Sequence, residues 1–107
     1  MSLLYHVVPA SVWATYETAS MYEADSLRTE GFIHLSTSNQ VNGVLDRYYR
    51  NVPDLLLLHV DPDRLVNELK YEVSTNNERF PHLYGPLNKD AVVTVERLTQ
   101  VPINQPV

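Results

Sequence analysis

The side chains best suited to chemistry lie in residues 31–40, a short apolar run that ends in a histidine, hydroxyls and amides. In a strand, neighbouring side chains alternate between faces, so His34 and Ser36 share one face and Ile33 lies on the other. An imidazole and a hydroxyl on one face can together hydrogen-bond a polar ligand. This segment therefore predicts one wall of a binding pocket.

A helix is predicted directly after this segment, because apolar residues recur at helical spacing from Val41 to Tyr49. Thr37 is an acceptable N-cap for that helix. Free backbone N–H groups and the helix dipole favour an anion at such an N-terminus. The simplest hypothesis is a pocket for a phosphate-bearing or carboxylate ligand.

A second group of chemically capable side chains, Arg79, His82 and Tyr84, lies within residues 79–87. Two prolines and a glycine restrict the backbone there and predict a shaped loop. A rigid connector that packs on the core explains the same composition equally well. Glu72, in an alternating segment before this loop, is the most plausible catalytic carboxylate.

His6 lies in a predicted first strand, residues 3–8, on the same face as Leu4 and Val8. A core histidine with a satisfied hydrogen bond is the simpler interpretation. Its position near a strand end leaves a ligand-binding role open.

Two other kinds of chemistry have less support. His34 and Ser36 lie about 7 Å apart along a strand, too far for a nucleophile–base hydrogen bond, which argues against a serine hydrolase. Four histidines allow a metal-dependent enzyme as an alternative. No helical histidine pair or His-Glu motif is present, so we expect no bound metal.

Composition narrows the class of protein. The chain has 107 residues, 44% of them hydrophobic, which suits one core and one domain. It contains no cysteine, which excludes disulfides and thiolate chemistry. The net charge of −5 argues against nucleic-acid binding. Residues 1–6 do not resemble a signal peptide and no apolar run approaches a membrane span, so we expect a cytoplasmic protein that makes no contact with a membrane.

The predicted fold is a single compact α+β domain over residues 1–107, with short helices and a curved or split sheet of about five or six strands. Its last residues, 101–107, are expected to be an extended tail. Helices are predicted at 21–30 and 41–49, a helical turn at 65–69, and a final strand at 91–98. In that strand Val93 and Val95 should face the core.

Five short motifs stand out: Tyr5-His6, residues 30–36 (Glu-Gly-Phe-Ile-His-Leu-Ser), Gln40-Val41, Tyr71-Glu72 and residues 80–87 (Phe-Pro-His-Leu-Tyr-Gly-Pro-Leu). Together they resemble a small, mostly bacterial family known as domain of unknown function 952. The resemblance spans nearly the whole chain.

That family in turn resembles the ADP-ribosyltransferase superfamily. Residues 4–6 are similar to its first-strand Tyr-His pattern, and residues 33–36 are similar to the His-Leu-Ser strand of RNA 2′-phosphotransferases. The resemblance implies a compact split-sheet fold that holds NAD in a cleft. It also implies that His6 holds a ribose hydroxyl, with His34 and Ser36 lining the nicotinamide or phosphate side.

We therefore expect an ADP-ribosyltransferase-like domain that binds NAD or a related small-molecule nucleotide and transfers ADP-ribose or cleaves the N-glycosidic bond. The predicted catalytic residues are His34, Glu72 and His82. The predicted nucleotide-binding residues are His6, His34, Ser36, Thr37 and Tyr84. A non-catalytic small-molecule-binding or interaction module is the first alternative, and a histidine-liganded metal enzyme is the second.

Overall fold

The computed structural model describes residues 2–99, so the predicted tail at 101–107 lies outside the described residues. The helices are α1 (Ala10–Ala14), α2 (Asp25–Glu30) and α3 (Val41–Tyr48). The strands are β1 (Leu4–Pro9), β2 (Met21–Tyr22), β3 (Ile33–His34), β4 (Leu55–Val60), β5 (Glu68–Val73), β6 (Arg79–Tyr84), β7 (Leu87–Asn88) and β8 (Val92–Arg97). In this part of the chain, no helix is long and apolar enough to cross a membrane.

The strands form two antiparallel three-stranded sheets, in the orders β1-β4-β8 and β3-β6-β5, while β2 pairs with β7. One isolated bridge joins the two larger sheets. In it, the Tyr5 N–H donates to the Ser36 carbonyl oxygen and the Ser36 N–H donates to the Tyr5 carbonyl oxygen, each at 2.8 Å. The predicted α+β class with short helices is confirmed, and the sheet is split at this bridge.

β4 is the central strand of the first sheet, as its continuous apolar sequence predicts. Leu58 and Val60 are fully buried in a core that includes side chains of α1 and α2. On the opposite face, Leu55 and Leu57 lie in a second cluster with Val44 of α3. Helices therefore cover both faces of this sheet.

The predicted loop over residues 79–87 is wrong, because β6 is the middle strand of its sheet. A proline is unusual there since it has no N–H to donate. The Pro81 carbonyl oxygen accepts a hydrogen bond of 3.0 Å from the Leu35 N–H, but Pro81 cannot return one. Ser36, the residue after Leu35, forms its backbone hydrogen bonds with Tyr5 of β1 and none with β6. Pro81 thus marks the point where the chain leaves one sheet for the other.

The predicted helix over residues 21–30 is correct only from Asp25 onward. Met21–Tyr22 pairs with Leu87–Asn88, a contact between distant segments that local periodicity does not report. At the other end the helix stops as predicted, since Gly31 adopts the left-handed conformation with φ of 92°.

Two expectations about the sheet edges are also wrong. Val93 and Val95 are 43% and 47% exposed rather than core residues, because β8 is an edge strand. The helical turn predicted at 65–69 does not form, and Leu69 belongs to β5, where it pairs with Leu83. Strand pairing outweighs the local helical spacing in this segment.

Gly31→Ala is expected to destabilise the fold by roughly 1–2 kcal/mol, because a Cβ is disfavoured in the left-handed region. No atom lies within 4 Å of the added Cβ, so backbone strain alone is measured. Gly43→Ala is the matched control. Its Cβ meets only the flexible end of Arg47, at 3.0 Å, inside α3. The control should be neutral or stabilising by up to about 1 kcal/mol, and urea unfolding of both variants checks the opposite signs.

Candidate functional site

A groove of about 900 Å³ is lined by side chains from β1, all three helices and the β3 segment. Its polar lining includes His6, Tyr22, Glu30, His34 and Ser36. Residues 6–9 of β1 and residues 34–36 of the β3 segment line the groove, next to the Tyr5–Ser36 bridge. Two of the predicted histidines and the predicted serine therefore belong to one site.

His6 is 7% exposed and both its ring nitrogens are occupied. Nδ1 lies 2.7 Å from the His34 carbonyl oxygen, and Nε2 lies 2.9 Å from the Tyr22 hydroxyl oxygen. A carbonyl can only accept, so Nδ1 carries the proton and Nε2 accepts from Tyr22. Burial lowers the pKa of His6 to about 4. His6 is therefore neutral in the folded protein at ordinary pH.

His34 is the exposed imidazole of the site. Its Nε2 lies 3.2 Å from Glu30 Oε2, and the two side chains are 46% and 51% exposed. The Phe32 ring meets the His34 ring edge-on, with centroids 4.8 Å apart. His34 can therefore exchange a proton with a ligand while the Glu30 carboxylate orients it.

Ser36 and Thr37 differ in position. Ser36 is buried, lines the groove and uses its backbone in the bridge to Tyr5. The Thr37 hydroxyl donates to Asn39 Oδ1 at 2.6 Å, within a 3₁₀ turn over Ser38–Gln40 that separates the strand from α3. Thr37 is not a groove-lining residue, and the strand does not run directly into the helix as expected.

Glu72, His82 and Tyr84 come together on the β3-β6-β5 sheet. Glu72 Oε1 accepts a hydrogen bond from His82 Nδ1 at 2.8 Å and a second from the Tyr84 hydroxyl. These hydrogen bonds, that from Tyr84 foremost, lower the pKa of Glu72. The same bond to Glu72 raises the pKa of Tyr84. Glu72 is thus held as a carboxylate.

His82 is 3% exposed and its Nε2 has no hydrogen-bond partner within residues 2–99. The Phe32 ring stacks on the His82 ring with centroids 4.0 Å apart and an angle of 17°. Because His82 pairs with His34 in the β3–β6 ladder, their side chains share a face, and their centroids are 5.4 Å apart. His34 thus lies between the groove and the Glu72–His82–Tyr84 cluster.

The structure therefore divides the predicted residues into two adjacent groups. His6, His34 and Ser36 line the groove, whereas the Glu72–His82–Tyr84 cluster lies beside it. Among residues 2–99, no group of three histidine, cysteine, aspartate or glutamate side chains could hold a metal ion.

Three residues near the site were not among those predicted from the sequence: Tyr22, Glu30 and Phe32. Glu30 precedes His34 by four residues, and their contact depends on the turn at Gly31. Phe32 shares its strand face with His34 by alternation, which is a usable signal. The contact of Tyr22 with His6 requires the pairing of β2 with β7 and has no local signal.

Comparison with known proteins gives one family match and one structurally similar protein. Residues 7–95 match the family described as "Protein of unknown function (DUF952)". The chain belongs to this family. No curated protein matches it.

Solved structures of one protein, CC0527 from Caulobacter crescentus, are similar to this chain over most of its length. Its crystal structure aligns with a TM-score of 0.84 at 31% identity, covering 92% of this chain and 87% of that chain. Its solution NMR structure aligns with a TM-score of 0.79 at 32% identity, covering 92% and 85%. The similarity shows that this chain and CC0527 share one fold over most of their lengths.

The His6 pKa predicts how stability depends on pH. The folded value of about 4 lies below the ordinary 6.5, so the unfolded chain binds a proton first as pH falls. Stability should therefore fall between pH 6.5 and 4, by roughly 3 kcal/mol from this group. His6→Gln keeps a donor and an acceptor without titrating and should flatten this part of the curve. Urea unfolding across this pH range measures it.

His59→Gln is the control, because His59 pairs with Glu96 at 2.8 Å outside the groove. It should keep the pH dependence that His6 causes. An NMR titration of the His6 ring that gives a pKa near 6.5 would contradict the burial described above.

Tyr84→Phe should raise the pKa of Glu72, because the variant removes the hydroxyl that stabilises the carboxylate most. Tyr71→Phe is the control, since Tyr71 is exposed on the same sheet. Carbon-detected NMR of the Glu72 carboxyl group against pH measures both variants. An unchanged Glu72 titration in Tyr84→Phe would show that this hydrogen bond does not form in solution.

Proposed function

We propose that this chain is an ADP-ribosyltransferase-like domain that binds NAD or a related nucleotide in the groove between β1 and β3. The observation that carries the proposal is the split of the sheet at the Tyr5–Ser36 bridge, with His6 and His34 on the groove that follows it. The first-strand Tyr-His pattern and the Ile-His-Leu-Ser segment that resemble the superfamily each supply one residue of this bridge, Tyr5 and Ser36.

The polar groups of the groove suit recognition of a nucleoside. The exposed His34 imidazole and the Ser36 hydroxyl can hydrogen-bond ribose or amide groups, and groove tyrosines can pack on a ring. Because His6 already donates to the His34 carbonyl oxygen, it holds the backbone of His34 in place. For His6 to bind a ribose hydroxyl as well, that hydroxyl must replace the Tyr22 hydroxyl at Nε2.

Transfer of ADP-ribose breaks the bond between ribose C1′ and the nicotinamide nitrogen. The electron pair leaves with nicotinamide, which departs neutral, while positive charge develops on the ribose. A nucleophile then adds at C1′ and releases a proton. In this proposal His34 accepts that proton and the Glu30 carboxylate stabilises the charge. Glu72 and His82 act as positioning residues, through the rings of Phe32 and His34.

A non-catalytic nucleotide-binding module is the second candidate. Glu72, the carboxylate expected to be catalytic, is not a groove-lining residue and already accepts two hydrogen bonds. A domain that binds ligand without turnover fits this arrangement.

Isothermal titration with NAD and with ADP-ribose tests the binding step, and we expect saturable heat from at least one of them at up to millimolar concentration. His34→Ala and Ser36→Ala should each weaken binding by roughly five- to ten-fold, the size expected for one lost hydrogen bond. His59→Ala, outside the groove, should bind as the unaltered protein does. No saturable heat with either ligand would overturn the proposal.

Chromatographic assay of nicotinamide released from NAD separates the two candidates. Release that is lost in His34→Ala supports the enzyme. Binding without release, retained in Glu72→Ala, supports the non-catalytic module.

A further inference from the structure

The charged side chains that line the groove all carry the same sign. Within residues 2–99 they are Glu23, Asp25 and Glu30, and no lysine or arginine is among the lining residues. A pyrophosphate is normally gripped by arginine, lysine or a cluster of backbone N–H groups. The groove therefore offers no cationic partner for the most strongly charged part of a dinucleotide.

Three cations near the groove do not reverse this field. Arg47 is not a lining residue, and it packs over the Tyr48 ring with its guanidinium carbon 5.8 Å from the ring centroid. Arg28 lies 3.7 Å from Asp25, but both side chains are largely exposed, and such surface pairs are weak. The Lys89 ammonium donates to the carbonyl oxygens of Tyr16 and Glu17 at 2.7 and 3.1 Å, and it lies over the Trp13 ring. Lys89 is thus committed to the backbone beside the groove.

Aromatic rings accompany the carboxylates. The half-buried Tyr16 offers its ring to the groove, and the fully buried Tyr22 packs behind it, with ring centroids 5.1 Å apart at an edge-on angle of 73°. A ligand cation that lies over the Tyr16 ring is attracted to its electron-rich face. Rings and carboxylates in one groove favour a ligand whose positive charge resides on a flat ring.

We propose that the groove selects the cationic N-ribosyl pyridinium part of its ligand and discriminates against the pyrophosphate. This rests on the proposed function and names the part of the nucleotide that is recognised. Nicotinamide riboside, a cation with no phosphate, is then the preferred ligand. NAD, which combines the pyridinium with a pyrophosphate, follows it, and ADP-ribose, which has lost the pyridinium, binds most weakly.

Isothermal titration of the full chain with these three ligands, at low and high salt, tests the order. We expect nicotinamide riboside to bind most tightly of the three. Added salt should lower its affinity, because screening reduces its attraction to the carboxylates. Glu30→Gln should lower the affinity for nicotinamide riboside by roughly three- to ten-fold and should not lower the affinity for ADP-ribose. Glu68→Gln makes the same charge change on β5, outside the groove, and should leave all three affinities unchanged.

Tighter binding of ADP-ribose than of nicotinamide riboside would overturn the charge selection while leaving the proposed function in place. Equal effects of Glu30→Gln and Glu68→Gln would also overturn it, since the groove carboxylate would then have no special role. Binding of none of the three ligands would overturn the proposed function itself.

Discussion

The described architecture depends on the two reciprocal hydrogen bonds between Tyr5 and Ser36. They join two sheets whose strand ladders are otherwise separate, and they form next to Leu35, where Pro81 has no N–H to continue the ladder. A longer ladder between β1 and β3 would close the space between them. A single bridge fixes the distance between the sheets while leaving both strands free to diverge, and the groove is the result.

His6 completes this arrangement from the side of β1. Its Nδ1 donates to the His34 carbonyl oxygen, which the divergence of the strands has left without a ladder partner on β1. A buried carbonyl without a donor is costly, so a side chain takes the place of the missing backbone N–H. The Tyr22 hydroxyl then donates to the second ring nitrogen, so the neutral His6 ring has both its nitrogens hydrogen-bonded. The simpler sequence interpretation, a satisfied core histidine, therefore agrees with the geometry of His6.

The residues that share a strand face could be predicted from sequence, because side chains alternate between the two faces of a strand. His34 and Ser36 lie on the groove, and the apolar run of β4 is the central strand. What could not be predicted depends on pairing between distant segments. Pro81 and Pro86 predict a loop where β6 forms, because prolines are common in loops and rare in central strands. The place of Glu72 beside His82 follows from the register of β5 against β6. Thr37 satisfies the capping rule, but it caps an intervening 3₁₀ turn rather than α3.

The two buried histidines, His6 and His82, differ in how many of their ring nitrogens are hydrogen-bonded to protein groups. His6 has both nitrogens occupied by protein groups, so its contribution is to hold the divergence of β1 and β3 in place. His82 has one nitrogen bound to Glu72 and the other without a partner in the described part of the chain, beneath the ring of Phe32. His34 lies between them and is exposed, with its backbone held by His6 and its ring beside that of His82. Of these three histidines, His34 is therefore the one placed to exchange a proton with a ligand, while the buried pair fixes its position.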